Sequence, residues 1–178
     1  MAQSLFTRIR CRKDTQTAIV LLTTRVKKLD EDDWKKLRRL LGYLKQTIKL
    51  LLILRADRVN VLKWLLDASY EAHANMRGHT GGNMSMGKDV CGSIISISKK
   101  QKINTKSLTE AELIGSDDAM SHMLWTRHFL EAHGYEINKN ILYQDNMSPM
   151  LLENNGNKSS TKKTRKIITC ATILYRIG

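Results

Sequence analysis

Apolar residues recur at helical spacing in the stretch that opens with Trp34: Trp34, Leu37, Leu40, Leu41, Leu44 and Ile48. Steps of three and four place them along one face of a helix. Residues 30–33 are all acidic, which suits the positive end of a helix dipole and marks the start. Lys35, Lys36, Arg38, Arg39 and Lys45 fall largely off the stripe, as a solvated face or as the basic flank of a nucleic-acid groove. Residues 1–55 read as helical.

Near Ala56 the period shortens to two. Val59, Val61, Lys63, Leu65 and Asp67 share one face of an expected strand, and Asn60, Leu62, Trp64 and Leu66 the other. Asp67 closes that run, and a carboxylate ending an apolar strand needs a partner or a metal. Gly78, Gly81, Gly82 and Gly87 punctuate a turn and a short second strand. A third strand is expected over 92–98, where Ile94, Ile95 and Ile97 sit among serines, followed by a polar run over 99–106. A helix follows over 107–131. Ser107 with Glu110 forms a capping box, and Thr109 with Glu112 a second, overlapping one, so either glutamate could be the cap.

Gly134 stops this helix, and 141–145 reads as a further strand. A short helix over 148–153 has Pro149 in its first turn. Residues 154–166 read as an exposed basic loop, and 167–177 as one more strand or helix. Strands first, then strands alternating with helices, predict an α/β fold with a mixed sheet.

Charge changes the picture. The 178 residues hold 30 Lys and Arg against 17 Asp and Glu, a net charge of +13. Such an excess calls for a polyanionic partner, of which nucleic acid is the commonest. Apolar content of 42% and charged content of 26% argue against disorder. The longest apolar run, residues 50–54, is far below the roughly 18 residues of a membrane span. Residues 1–14 carry no apolar signal region. The expectation is therefore an intracellular protein, cytoplasmic or nuclear, neither secreted nor membrane-bound. Cys11, Cys91 and Cys170 are widely spaced with no CxxC, and the five histidines show no zinc spacing.

Three carboxylates remain as candidate chemistry: Asp67 and Asp145 at strand ends and Glu112 near a helix start. If the strands are neighbours, the three converge at one edge of the sheet. In so basic a chain, converging carboxylates invite divalent cations, and Mg2+ prefers such hard oxygen ligands. Two such ions can clamp the attacking and leaving oxygens of a phosphodiester. Each residue also has an ordinary reading: Asp67 an ion pair, Glu112 a cap, Asp145 a turn residue before Asn146.

The flanking residues narrow this. Asp67-Ala-Ser-Tyr-Glu-Ala-His73, with Arg77 and Thr80-Gly81 downstream, resembles the first active-site motif of a retrotransposon ribonuclease H. Ser98-Lys-Lys-Gln-Lys102 followed by Ser107-Leu-Thr-Glu-Ala-Glu-Leu113 resembles the second, in the form found in copia-type (Ty1/copia) elements. Tyr143-Gln-Asp-Asn-Met-Ser148 is similar to the third. Upstream, residues 12–18, Thr24-Arg25-Val26 and residues 34–45 look like the end of a copia-type reverse transcriptase.

The resemblance implies that 1–55 is the helical tail of a reverse transcriptase region. It makes 56–178 a ribonuclease H-like domain, a mixed sheet flanked by helices, divergent or truncated in its C-terminal part. It further implies metal-dependent hydrolysis of the RNA strand of RNA–DNA hybrids, with Asp67, Glu112 and Asp145 binding Mg2+ or Mn2+. Between the two glutamates it favours Glu112, which precedes the apolar Leu113. Arg77, Lys99, Lys100, Lys102, Lys106, Lys162, Lys163 and Arg165, with Lys158, are then phosphate contacts, each with a solvated loop as its ordinary reading. The rest of a retroelement polymerase is the implied protein partner.

The chain departs from the family at Lys13, where proline is usual, at Lys166, where histidine is expected, and at Ile168, where a fourth acidic residue is expected. An aliphatic side chain ligates no metal. Two other expectations therefore stand beside the nuclease: a module that binds nucleic acid without cutting it, and a decayed, inactive remnant. No polymerase motif is present, so copying of RNA by this chain is not expected.

Overall fold

The structure, a computed structural model, describes residues 2–87 and 91–144. Asp145, Lys158, Lys162, Lys163 and Arg165, the expected helix over 148–153, the basic loop and the 167–177 segment lie outside the described residues. The chain divides into two compact units, Met1–Leu54 and Arg55–Gly178.

The first unit is helical: α1 (Ala2–Arg10), a single 3-10 turn at Lys13–Thr15, α2 (Gln16–Thr24) and α3 (Glu31–Gln46). The acidic start of α3 works as the pattern predicts. Asp30 accepts from the backbone N–H of Asp33 at 2.8 Å, the Asp33 carboxylate accepts back from the N–H of Asp30, and Arg25 reaches both carboxylates at 2.7 Å. Ile19 and Leu22 of α2 pack with Leu40 of α3, flanked by Leu5, Leu37 and Leu44. Across the unit Arg12 joins Asp14 and the Thr47 hydroxyl, each at 2.7 Å. The Arg12 hydrogen bond holds the Asp14 carboxyl below the usual carboxylate range.

The second unit is α/β. Its strands are β1 (Val61–Ser69), β2 (His79–Ser85), β3 (Ile95–Lys100) and β4 (Lys139–Gln144), with α4 (Leu108–Ala132) between the last two. They form a mixed sheet in the order β3-β2-β1-β4, in which β1 pairs antiparallel with β2 and parallel with β4. The period-two pattern of β1 sets its faces. Leu62, Trp64, Leu66 and Ala68 are buried while Leu65 and Asp67 are exposed. Leu62, Trp64 and Leu66 pack with Met84, Ile97, Leu142 and Ile137 and with Ala119, Met120 and Met123 of α4. Gly134, at φ 84, closes the helix: its N–H and that of Tyr135 donate to Glu131 and Leu130.

Several boundaries differ from the pattern's expectation. The helical reading of residues 1–55 stops short: α3 ends at Gln46, where Thr47 caps it, and residues 50–54 form no helix. β4 starts at Lys139 rather than 141, because Lys139 and Asn140 pair with Val61 and Leu62. β1 runs past Asp67 to Ser69, because Ala68 and Ser69 continue the ladder opposite Thr80 and His79. β3 starts later and runs further than 92–98, because Lys99 and Lys100 pair with Thr80 and His79. Polar side chains do not end a strand whose backbone still has a partner. No helix among the described residues is long and apolar enough to cross a membrane.

Candidate active site

Glu112 owes its position to the way α4 is started and seated. The Ser107 hydroxyl accepts from the backbone N–H of Glu110 at 3.2 Å, and the Glu110 carboxylate reaches back to the N–H of Lys106 at 2.9 Å. Glu110 is thus the capping residue. Glu112, two positions on and so on a different side of the helix, turns inward and is 2% exposed.

The buried Gln101 side chain ties this turn to the sheet. Its amide N–H groups donate to the Thr80 hydroxyl at 3.1 Å and to the Ala111 carbonyl at 2.8 Å. One turn later the helix touches the sheet at Gly115. A Cβ there would lie 3.3 Å from Ala68 Cβ and 3.6 Å from Thr80 Cγ2, so only glycine admits this approach without displacing a neighbour. Ala68 directly follows Asp67, and Glu112 is therefore seated at the Asp67 end of β1.

β4 completes this corner. Gln144 pairs with Leu66, the residue before Asp67. Its side-chain N–H donates to Glu112 Oε2 at 2.9 Å; the Ser116 hydroxyl has its shorter contact, 3.2 Å, with the Glu112 backbone carbonyl and lies 3.4 Å from Gln144 Oε1. The structure thus brings Glu112 and Gln144 together beneath the end of β1, while Asp67 lies at the same end on the exposed face of the sheet. Asp145 follows Gln144 in the chain and lies outside the described residues, among which no group of three potential metal ligands is found. The donors present are hard carboxylate oxygens, one of them deeply buried. That chemistry suits Mg2+ or Mn2+ better than zinc.

The described basic residues are distributed unevenly. Lys99 is held on the α4 side by Asp118, with Nζ to Oδ1 at 2.5 Å, and the Thr80 hydroxyl also donates to Asp118 at 3.4 Å. Lys100 stands on the other face, opposite His79. Lys102 and Lys106 are exposed in the segment leading to α4, and Arg77 is half-buried just before β2. Of these five candidate phosphate contacts, Lys99 is the one held by Asp118.

A second cluster, on the Asp67 face, escapes any reading of the sequence. His73 and His79 are buried with Nε2 and Nδ1 3.0 Å apart, and His79 Nε2 lies 2.8 Å from Ser98 Oγ. Ser98 pairs with Gly81, whose other neighbour is Asp67. The two histidines belong to no ligand-like spacing, and a loop and two strands make them neighbours. That loop also holds Glu71 and Met76 at φ 51 and 58, a conformation costing about 1 kcal/mol each.

Burial pushes both histidines below their ordinary pKa, with the Lys100 charge adding to it for His73 and the His73 charge for His79. In the unfolded chain both titrate near pH ~6.5. The unfolded state therefore binds more protons just below that pH, and stability is full above it and lost as pH falls below it. Thermal melts from pH 7.5 down to 5 should show a falling midpoint that flattens in the double variant His73→Gln, His79→Gln. An identical slope in that variant would assign the acid loss elsewhere.

No protein-family model matches the chain, and no solved structure gives a significant match to it.

Proposed function

We propose that residues 56–178 form a ribonuclease H-like domain of a copia-type retrotransposon polyprotein. In this reading it hydrolyses the RNA strand of RNA–DNA hybrids, and residues 1–55 are the end of the reverse transcriptase region. The observation that carries the reading is the placement of Glu112: a buried carboxylate that α4 seats at the Asp67 end of β1, on a sheet where β4 runs parallel to β1 and leads into Asp145. This supports the reading because Glu112 and the Gln144 end of β4 lie at the Asp67 end of β1.

Asp67, Glu112 and Asp145 would hold the divalent cations. When bound, such cations supply charge neutralisation at the scissile phosphate and acidify the attacking water. The residues do the positioning: β1 and α4 hold two carboxylates on rigid elements, so that little reorganisation accompanies the reaction. Lys100, Lys102, Lys106 and Arg77 would track the hybrid backbone, and discrimination would rest on shape and 2′-hydroxyl contacts. Ile168, standing where the family has a fourth acidic residue, favours a second reading in which hybrid is bound and left uncut.

The test uses purified protein, Mg2+ or Mn2+, and end-labelled RNA annealed to DNA. Metal-dependent cutting of RNA in the hybrid and not in single strands, lost in Asp67→Asn, is the expected result. Folded protein that binds hybrid with a steep salt dependence and never cuts it would replace the nuclease with the binding module. Neither cutting nor binding would leave an inactive remnant.

A further inference from the structure

Ser98, His79 and His73 form a chain of contacts that the nuclease reading leaves unused. Ser98 Oγ lies 2.8 Å from His79 Nε2, and His79 Nδ1 lies 3.0 Å from His73 Nε2. The three come from β3, β2 and the loop after β1, and they meet on the sheet face opposite α4. A hydroxyl within reach of a base, with that base oriented by a third group, is the geometry of an activated nucleophile. The protons fit it. When the Ser98 O–H donates to His79 Nε2, His79 Nδ1–H donates to His73 Nε2, and His73 carries its own proton on Nδ1. Burial pushes both rings below their ordinary pKa, so both are neutral near pH 7, the state from which a base must start.

The surroundings suit acyl transfer. Both histidines are buried whereas Ser98 is partly exposed, so the hydroxyl is the end of the chain that a substrate reaches. Its neighbour across the ladder is Gly81. A Cβ there would meet only the Asp67 carbonyl oxygen, at 3.8 Å, so the surface beside the hydroxyl is open. Lys100, two residues on along β3 and opposite His79, brings a cation to the same face, where it favours a developing oxyanion. Asp67, across Gly81 from Ser98, disfavours an anionic substrate.

We propose that Ser98 is the nucleophile of a Ser-His-His constellation that takes the acyl group of a small neutral ester, with His79 as general base and His73 as its positioning residue. Ser98 Oγ bonds to the carbonyl carbon while its proton passes to His79 Nε2. The tetrahedral intermediate collapses by breaking the ester C–O bond, and His79 returns the proton to the departing oxygen, which leaves as an alcohol. Water, giving its proton to the same ring, then attacks acyl-Ser98, frees the carboxylic acid and restores the serine. Neither Asp67 nor Glu112 takes part as a ligand, so the inference stands apart from the ribonuclease H reading.

The test uses the full chain and a fluorophosphonate, whose phosphorus an activated serine attacks with loss of fluoride, leaving an adduct located by mass spectrometry. One adduct on Ser98, absent in Ser98→Ala, is the expected result. His79→Gln should slow labelling by about 100-fold or more. His73→Phe should slow it less, and His73→Gln should restore it, because its amide oxygen can accept from His79 Nδ1–H. The elements around His79 contribute His73, Glu71 and Arg77 from the loop, Lys100 from β3 and Asp67 from β1 as titratable or charged groups. With its pKa held down by burial, His79 should give a labelling rate that is full near pH 7 and falls as pH drops to about 5.5, in protein still folded by circular dichroism. An adduct on another serine, or none in folded wild type, would overturn the proposal. So would an unchanged rate in His79→Gln or, should that variant not fold, a wild-type rate that stays flat over this pH range.

Discussion

Glu112→Gln is expected to lower metal-dependent cleavage of an RNA–DNA hybrid by about 10²–10³-fold or more, the range for removing one preorganised charge-stabilising group. The substitution keeps the shape of the side chain and removes only its charge. The Gln144 N–H that donates to Oε2 can still donate to the amide oxygen, so the fold should survive. The pairing of lost cleavage with an unchanged melt is the informative result. Glu110→Gln is the matched control, because Glu110 serves the helix cap at the Lys106 N–H. The amide oxygen can still accept that bond, so it should cost only the charge at the helix start, about 0.3–1 kcal/mol, and leave cleavage alone. Equal cleavage in both variants, or a larger loss from Glu110→Gln, would move the site away from Glu112.

Trp64→Ala should cost about 3–5 kcal/mol, a large share of the 5–15 kcal/mol that holds a typical domain. Trp64 is 1% exposed on β1 and packs in the cluster that joins all four strands to α4. Its loss empties the middle of the contact between sheet and helix. Trp64→Phe has a different expected outcome. The indole N–H has no hydrogen-bond partner among the described residues, and an unsatisfied buried donor costs about 1–3 kcal/mol. Removing it offsets much of the lost packing, so Trp64→Phe should fall within about 1 kcal/mol of wild type. Urea unfolding followed by circular dichroism separates the two. A Trp64→Ala protein within about 1 kcal/mol of wild type would mean that this cluster is not what holds α4 to the sheet.

Both expectations draw on features that differ in how far they can be read without a structure. The alternation Leu62, Trp64, Leu66 against Lys63, Leu65, Asp67 names the buried face of β1 directly, because a strand has only two sides. The acidic start of α3 and the Ser107 start of α4 are equally plain, since a cap is a contact between residues three or four apart. The strand ends are less legible. Ala68, Ser69, Lys99 and Lys100 are not strong strand formers, and they are strand residues because each faces a partner across the ladder. The resemblance to a ribonuclease H points to Glu112, whereas its residues alone leave Glu110 and Glu112 as equivalent caps.

What the sequence by itself determined is local: which stretches are helix or strand, which side of β1 is apolar, where α3 and α4 begin, and that the surface carries a large positive charge. These follow from contacts within about one turn or one strand step. What only the tertiary structure decided is which distant groups meet. Gln144 finds Glu112 from 32 residues away, Gln101 fastens α4 to β2, and His73, His79 and Ser98 share one buried chain of ring and hydroxyl contacts. All three depend on strand order, and the two that involve α4 also on how closely Gly115 lets the helix approach. The physical reason is that side-chain chemistry is written along the chain, while proximity is set by the packing of whole elements.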